Sequence, residues 1–230
     1  MSATAQETTV IGTRRLRRED PALLSGEARF IDDLDVPGAL WMAAVRSPHA
    51  HARISGVDLE AARALPGVVA AYSGADFAAL GAGPLPCAWP VTPDMKNPPH
   101  HAVAADVACH VGQITAVVLA ESRYAAADAV EAVVVDYEPL DAVIDLEDAA
   151  GDRAVIHPDL GTNVSYLWEL KPDEDAVDAA FAAAEHTVSE HYVHQRLIPA
   201  AMEPRGVAVV PSPHAGDVTV YSSTQIPHIL

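Results

Sequence analysis

Short apolar segments alternate with alanine-rich stretches of helical spacing along the first 140 or so residues. Helices are predicted over Glu60–Leu65 and Arg123–Ala132, each preceded by a residue that can cap the first turn. The strand–helix–strand order over 54–73 and 114–137 predicts two right-handed crossovers, and with them an α/β or α+β domain. The predicted strands are Trp41–Val45, Ile54–Val57, Val68–Ser73, Ile114–Leu119 and Val133–Tyr137.

The pattern changes after the acidic and alanine-rich stretch Asp145–Gly151, which we interpret as a boundary. Asp173 can cap a helix whose apolar residues recur at helical spacing. Three strand candidates follow at Thr187–Gln195, Gly206–Val210 and Val218–Ser222. The last two are expected to form a hairpin, because a turn-rich segment of suitable length joins them.

A proline-rich segment, Gly81–Pro99, interrupts the regular pattern. Its repeated prolines remove backbone donors and restrict φ, so neither a helix nor a central strand is expected there. Long irregular segments inside a domain are commonly functional or contact a partner.

Composition narrows the function classes. The 230-residue, 24.2 kDa chain carries 14 Lys and Arg against 32 Asp and Glu, a formal charge of −18. This disfavours nucleic acid and anionic membrane surfaces as partners. The chain has no apolar run long enough to span a bilayer and no signal-like start. Its two cysteines, Cys87 and Cys109, form no metal-binding pair, so a reduced, cytoplasmic setting is expected.

Histidines offer one candidate chemistry. His49 and His51 lie two residues apart, and His186, His191 and His194 form a second group. Neutral imidazole is a common metal ligand, so a histidine-dependent metal hydrolase is one alternative, although each group needs further ligands. The chain has no nucleophile elbow and no phosphate-binding loop of known pattern.

Two late segments carry polar groups next to predicted strands. In Met202–Gly206, Glu203 and Arg205 flank a proline, and the simplest interpretation is a turn in which the two charges pair. In Ser222–His228, hydroxyls and the Gln225 amide follow a strand. Gln225 can donate to an oxo or phosphate oxygen, and the hydroxyls can equally form a local cap. Both interpretations stay open at this point.

These segments belong to a series that resembles the large, molybdenum-cofactor-binding subunits of the xanthine dehydrogenase, aldehyde oxidase and carbon monoxide dehydrogenase family. The similar stretches run in order over nearly the whole chain. They are GEARFIDD at 26–33, VPGAL at 36–40, VRSPHAHARI at 45–54, ALPGVV at 64–69, ESRYAAA at 121–127, VVDYEPL at 134–140, MEPRG at 202–206 and SSTQIPHIL at 222–230.

The resemblance implies an α+β fold: an N-terminal arm (1–19), an α/β hammerhead domain (20–145) and the beginning of the first molybdenum-cofactor-binding domain (146–230). It places Gln225 beside an oxo ligand of molybdenum, with Thr224 next to it. It also implies a molybdenum–molybdopterin cofactor, in the cytosine dinucleotide form, in the full-length protein.

The resemblance further implies the partners. They are an FAD-binding medium subunit and a 2Fe–2S small subunit, assembled as a dimer of heterotrimers that acts as an oxidoreductase on a small molecule. The family's glycine-rich cofactor loop and its catalytic glutamate are expected downstream of Gln225, so these 230 residues alone are expected to be inactive.

The apolar stretch Ile226–Leu230 is unlike a typical terminus, and we expect the chain to continue beyond it. The alternative within the same fold is a non-catalytic scaffold or assembly protein, in which this stretch would be a docking segment.

Overall fold

A computed structural model describes residues 11–86, 89–170, 173–212 and 216–228. Contacts divide the chain into two compact units. The larger is Gly38–His191, and the smaller combines Met1–Pro37 with Tyr192–Leu230. The predicted domain boundaries stay a prediction.

The larger unit contains two three-stranded antiparallel sheets. The strand order is β1–β5–β3 in the first sheet and β4–β2–β6 in the second. The strands are β1 (Trp41–Arg46), β2 (Ala52–Asp58), β3 (Val68–Ser73), β4 (Val107–Ala108), β5 (Ile114–Ala120) and β6 (Val134–Pro139).

Helices connect these strands and extend beyond them. α1 (Asp20–Ser25) lies in the smaller unit. The larger unit holds α2 (Glu60–Arg63), α3 (Gly74–Ala79), α4 (Arg123–Glu131), α5 (Leu146–Ala150) and α6 (Glu174–Ala183). As predicted, Ser122 caps α4 by accepting from Ala125 N at 3.1 Å, and Asp173 caps α6 by accepting from Ala176 N at 3.1 Å.

The core lies where α2 and α4 cover the first sheet. Ala62 and Ala129 are buried with Val118, and α4 packs against β1 and β5. Alanine at these helix positions lets the backbone approach the sheet closely. Complete burial of Val118 contributes roughly 1.5–3 kcal/mol relative to exposure.

A polar contact joins the two sheets. The buried Thr115 hydroxyl on β5 lies 3.2 Å from the Tyr137 hydroxyl on β6 and 3.4 Å from the Val45 carbonyl. The His49 ring packs on Tyr137 with 5.1 Å between centroids. The hydrogen bonds satisfy the Thr115 and Tyr137 hydroxyls, which would otherwise be costly to bury.

The predicted crossovers are wrong. β2 and β3 lie in different sheets, as do β5 and β6, and every strand pair among the described residues is antiparallel. The connection from β2 to β3 is shorter than the dozen or so residues that a parallel crossover needs. β6 also alternates exposed and half-buried positions, which suits an antiparallel sheet with one open face.

The smaller unit contains α1, a 3-10 turn at Ile31–Asp33, and a hairpin of β7 (Val207–Pro211) and β8 (Val218–Ser222). The hairpin prediction is confirmed, although part of its turn, 213–215, lies outside the described residues. The predicted strand Thr187–Gln195 is wrong: these residues are exposed coil. A polar–apolar alternation forms a strand only when a partner strand lies beside it, and the described residues supply none there.

The proline-rich segment is irregular in its described part, as predicted, apart from an isolated bridge between Leu85 and His100. It is attached further along by Lys96, whose N–H donates to the Ser165 carbonyl at 2.8 Å. The Ser165 hydroxyl donates back to the Lys96 carbonyl at 2.6 Å. Cys87, one of the two cysteines, lies outside the described residues. No helix of the described residues is long and apolar enough to cross a membrane.

Candidate functional site

The end of the β7–β8 hairpin carries the strand-end residues singled out from the sequence. The last ladder pair is Val207 with Ser222. Beyond it, Ser223 N donates to the Gly206 carbonyl at 3.2 Å, and Gly206 N donates to the Ser223 hydroxyl at 2.9 Å. This pair, 17 residues apart in sequence, therefore holds the MEPRG and SSTQ stretches together at the open end of the hairpin.

A third stretch reaches the same place. Ile31 N donates to Glu203 Oε1 at 3.3 Å, across 172 residues of sequence. A Cβ built on Gly206 would lie 2.9 Å from two carbons of the Ile31 side chain, so position 206 has no room for a side chain. We define the hairpin-end cluster as Ile31, Glu203, Gly206 and Ser223.

The predicted pairing of Glu203 with Arg205 is wrong. No ion pair joins them within the described part of the chain, and Glu203 accepts a backbone hydrogen bond from Ile31 instead. A half-buried carboxylate gains more from a backbone donor fixed by the fold than from an exposed neighbouring guanidinium, because an exposed pair is screened by water.

Gln225 lies two residues after Ser223 and is exposed. Thr224 next to it accepts from Ile226 N at 3.2 Å through its hydroxyl, which forms a local turn around Gln225. Within residues 11–86, 89–170, 173–212 and 216–228, no group is hydrogen-bonded to the Gln225 amide. Its donor is available to an external oxygen, and an oxo ligand of a metal cofactor fits that chemistry.

The structure confirms the local cap formed by the hydroxyls of Ser222–His228, and the ligand contact of the Gln225 amide stays a prediction. Ser223 and Thr224 form the local cap, and they leave the amide of Gln225 directed to no described residue. The local cap is therefore compatible with the predicted contact of Gln225, because it does not use the amide.

The candidate histidines do not form a metal site within the described part of the chain. His49 packs on Tyr137, and His51 Nδ1 lies 2.7 Å from the Asp141 carbonyl. His186 and His191 are exposed. Among the described residues, no group of three or more His, Cys, Asp or Glu is arranged to hold a metal ion. The metal-hydrolase alternative therefore has no structural support.

A cavity of about 290 Å³ lies within the larger unit, between the proline-rich segment and the residues around α5. Its lining includes Lys96, Val143, His157, Leu160 and Asn163. Burial lowers the pKa of His157 from its ordinary value of 6.5, and nearby His51 and His100 lower it further. This environment favours the neutral imidazole over its charged form.

Comparisons with known proteins agree with this architecture. The family model for the aldehyde oxidase and xanthine dehydrogenase a/b hammerhead domain matches residues 25–141. The model for the molybdopterin cofactor-binding domain matches residues 156–230.

Among curated relatives, the carbon monoxide dehydrogenase large chain of Hydrogenophaga pseudoflava is 36% identical over 99% of this chain and 29% of its own length. The 6-hydroxypseudooxynicotine dehydrogenase complex subunit gamma of Paenarthrobacter nicotinovorans is 36% identical over 94% of this chain and 27% of its own. The chain thus spans less than a third of these relatives.

Among solved structures, quinoline 2-oxidoreductase from Pseudomonas putida 86 superposes with a TM-score of 0.82 at 33% identity. The match covers 95% of this chain and 27% of that one.

A hammerhead domain followed by the start of a molybdopterin-binding domain defines the class of this chain: it corresponds to the first part of a large molybdenum-binding subunit. The chain belongs to the aldehyde oxidase and xanthine dehydrogenase family. The family prediction and the α+β fold class are confirmed.

Sequence reasoning missed the hairpin-end cluster as a unit. A hydroxyl residue directly after a hairpin strand was a usable signal for Ser223. Nothing local could pair Ile31 with Glu203, because the contact is long-range and one of its partners is a backbone N–H.

Proposed function

We propose that this chain is the N-terminal part of the molybdenum-cofactor-binding subunit of a hydroxylase-type oxidoreductase acting on a small molecule. The observation that supports it best is the order of the two domain matches, 25–141 and then 156–230, within a span below a third of the relatives' length. The reaction itself needs parts of the family's site that lie outside these residues.

Gln225 is the residue of this chain that would contact the cofactor, with its amide donating to an oxygen ligand of molybdenum and Thr224 shaping the turn. The exposed amide, with no partner among the described residues, supports this contact. The cofactor, when bound, supplies the redox chemistry. The chain's own contribution is to fix the backbone turn that carries Gln225, which lowers the cost of ordering this segment on binding.

The finer assignments extend the same proposal. The cofactor is the cytosine dinucleotide form of molybdopterin, electrons leave through a 2Fe–2S small subunit and an FAD-binding medium subunit, and the assembly is a dimer of heterotrimers. The names of two relatives, a "large chain" and a "complex subunit gamma", describe proteins with several subunits. A cytoplasmic location agrees with Cys109, a half-buried free thiol.

The test uses the full-length subunit co-expressed with its partner subunits. We expect about one molybdenum per subunit by elemental analysis, as in other enzymes with one resident cofactor. Gln225→Ala should keep the molybdenum but change its paramagnetic resonance signal after partial reduction. His228→Ala, at an exposed position of the same segment, is the control and should leave the signal unchanged. A purified complex without molybdenum contradicts the proposal.

A further inference from the structure

Ser223 occupies an unusual place at the end of the hairpin. In a hydrogen-bonded pair of an antiparallel ladder, two residues exchange both main-chain hydrogen bonds. Gly206 and Ser223 make one of these, from Ser223 N to the Gly206 carbonyl at 3.2 Å. The second uses the Ser223 hydroxyl, at 2.9 Å from Gly206 N, in the place of a main-chain carbonyl.

The use of the Ser223 hydroxyl in place of a main-chain carbonyl lets the chain leave the sheet at one defined residue. Because the hydroxyl satisfies Gly206 N, the Ser223 peptide need not continue the ladder. The chain turns at once: Thr224 N donates to the Ser222 carbonyl at 3.1 Å, and Ile226 N donates to the Thr224 hydroxyl at 3.2 Å. Gln225 lies between these two bonds.

The Gly206 side of the pair is itself held in place. The Gly206 backbone lies against the Ile31 side chain, where a Cβ would approach within 2.9 Å. Glu203, three residues earlier, accepts from Ile31 N. The Ser223 hydroxyl can also donate to the Pro204 carbonyl at 3.3 Å. Its donor and its acceptor are thus both used on the 204–206 turn.

We propose that Ser223 is a positioning residue: its hydroxyl sets where the chain leaves β8 and thereby the direction in which the Gln225 amide is presented. The inference rests on the proposed contact between Gln225 and the cofactor. Without the hydroxyl, Gly206 N either takes the Ser223 carbonyl, which lengthens the hairpin and turns the following peptides, or loses its partner. Either change moves Gln225 without altering Gln225 itself.

The experiment uses the full-length subunit in its complex and compares Ser223→Ala, Ser223→Thr, Gln225→Ala and the double variant Ser223→Ala with Gln225→Ala. Ser222→Ala is the matched control, because the Ser222 hydroxyl makes no hydrogen bond within the described part of the chain. Two quantities are measured: hydrogen exchange of peptides covering 203–228, and the molybdenum paramagnetic resonance signal after partial reduction with dithionite.

We expect Ser223→Ala to speed exchange at Gly206 and at 224–226 by about threefold to tenfold, the loss of one hydrogen bond. It should also shift the molybdenum signal, and Ser223→Thr should restore both. In the Gln225→Ala background, Ser223→Ala should cause no further shift, because its effect on the metal passes through Gln225. Ser222→Ala should change neither quantity.

The outcomes separate the two proposals. If Gln225→Ala shifts the signal and Ser223→Ala does not, the positioning role is wrong and the Gln225 contact stands. If Gln225→Ala leaves the signal unchanged, the proposed contact fails and the positioning role fails with it. If Ser223→Ala does not yield folded protein, Ser223→Cys replaces it. Because a thiol is a weaker acceptor than a hydroxyl, Ser223→Cys should shift the molybdenum signal, by less than Gln225→Ala does. An unchanged signal in Ser223→Cys overturns the positioning role.

Discussion

Gly74 provides a test of how tightly the larger unit is packed. It is the first residue of α3, directly after the capping residue Ser73, and its backbone lies against the 104–105 backbone. A Cβ at this position would overlap the Ala104 carbonyl oxygen and lie 2.6 Å from the Ala105 Cα. Since carbon–carbon contacts are optimal at roughly 3.5–4.0 Å, the two backbones would have to separate by about 1 Å.

No small adjustment of the structure can separate the two backbones. Ala104 is buried, and its N–H donates to the Ile114 carbonyl on β5 at 2.8 Å. No side chain can rotate away, because the obstacle is backbone. Gly74→Ala should therefore destabilise the region by about 1–3 kcal/mol, the range for overpacked interiors. The ordinary effect of Gly→Ala at a position of compatible conformation is a gain of about 0.4–1 kcal/mol, so the two effects differ in sign.

The measurement is hydrogen exchange of peptides spanning β3 and α3 in the full-length protein. A loss of 1–3 kcal/mol corresponds to exchange that is about fivefold to 150-fold faster. Gly56→Ala is the control, because its added Cβ would meet only the Asp136 Oδ2 atom, at 3.3 Å, on a side chain that can move. Unchanged or slower exchange in Gly74→Ala would refute the packing argument.

Two further predictions concern buried or half-buried polar groups of the larger unit. Tyr137→Phe removes the hydroxyl that bonds Thr115 and should lower the free energy of unfolding by about 0.5–1.5 kcal/mol; Tyr124→Phe, at an exposed position, should have no effect on denaturant unfolding. His157 has a folded-state pKa below its ordinary 6.5, so its contribution to stability is present above pH 6.5 and is lost as the pH falls through the folded value. His157→Gln should therefore flatten the decline in unfolding midpoint below pH 6.5, and a decline as steep as that of the wild type would contradict this assignment.

Local structure was largely predictable because its signals are local. The caps at Ser122 and Asp173, the hairpin at the end of the described chain and the irregular proline-rich segment follow from short-range rules on hydroxyls, carboxylates and prolines. These rules act within a few residues, so no knowledge of the tertiary fold is needed to apply them.

The pairing of strands was not predictable in the same way. A strand–helix–strand pattern is compatible both with a parallel crossover and with strands that go to different sheets, and the chain takes the second arrangement in both places. The strand predicted at Thr187–Gln195 did not form for a related reason. Alternating polar and apolar residues suit a strand but do not show that a neighbouring strand exists to pair with it.

The candidate site was partly predictable. Gln225 was identified through a resemblance, and its contact with the cofactor stays a prediction. The residues that hold its loop were missed, because the Ile31–Glu203 contact joins positions 172 residues apart through a backbone group. Only the three-dimensional arrangement brings these stretches to one place.

The contact between Ile31 and Glu203 also has a consequence for synthesis on the ribosome. The partners are 172 positions apart, so at an elongation rate of about 5–20 residues per second Glu203 is synthesised roughly 9–34 s after Ile31. The intervening stretch has that interval in which to complete its own sheets. The contact can form only after the turn carrying Glu203 has left the exit tunnel.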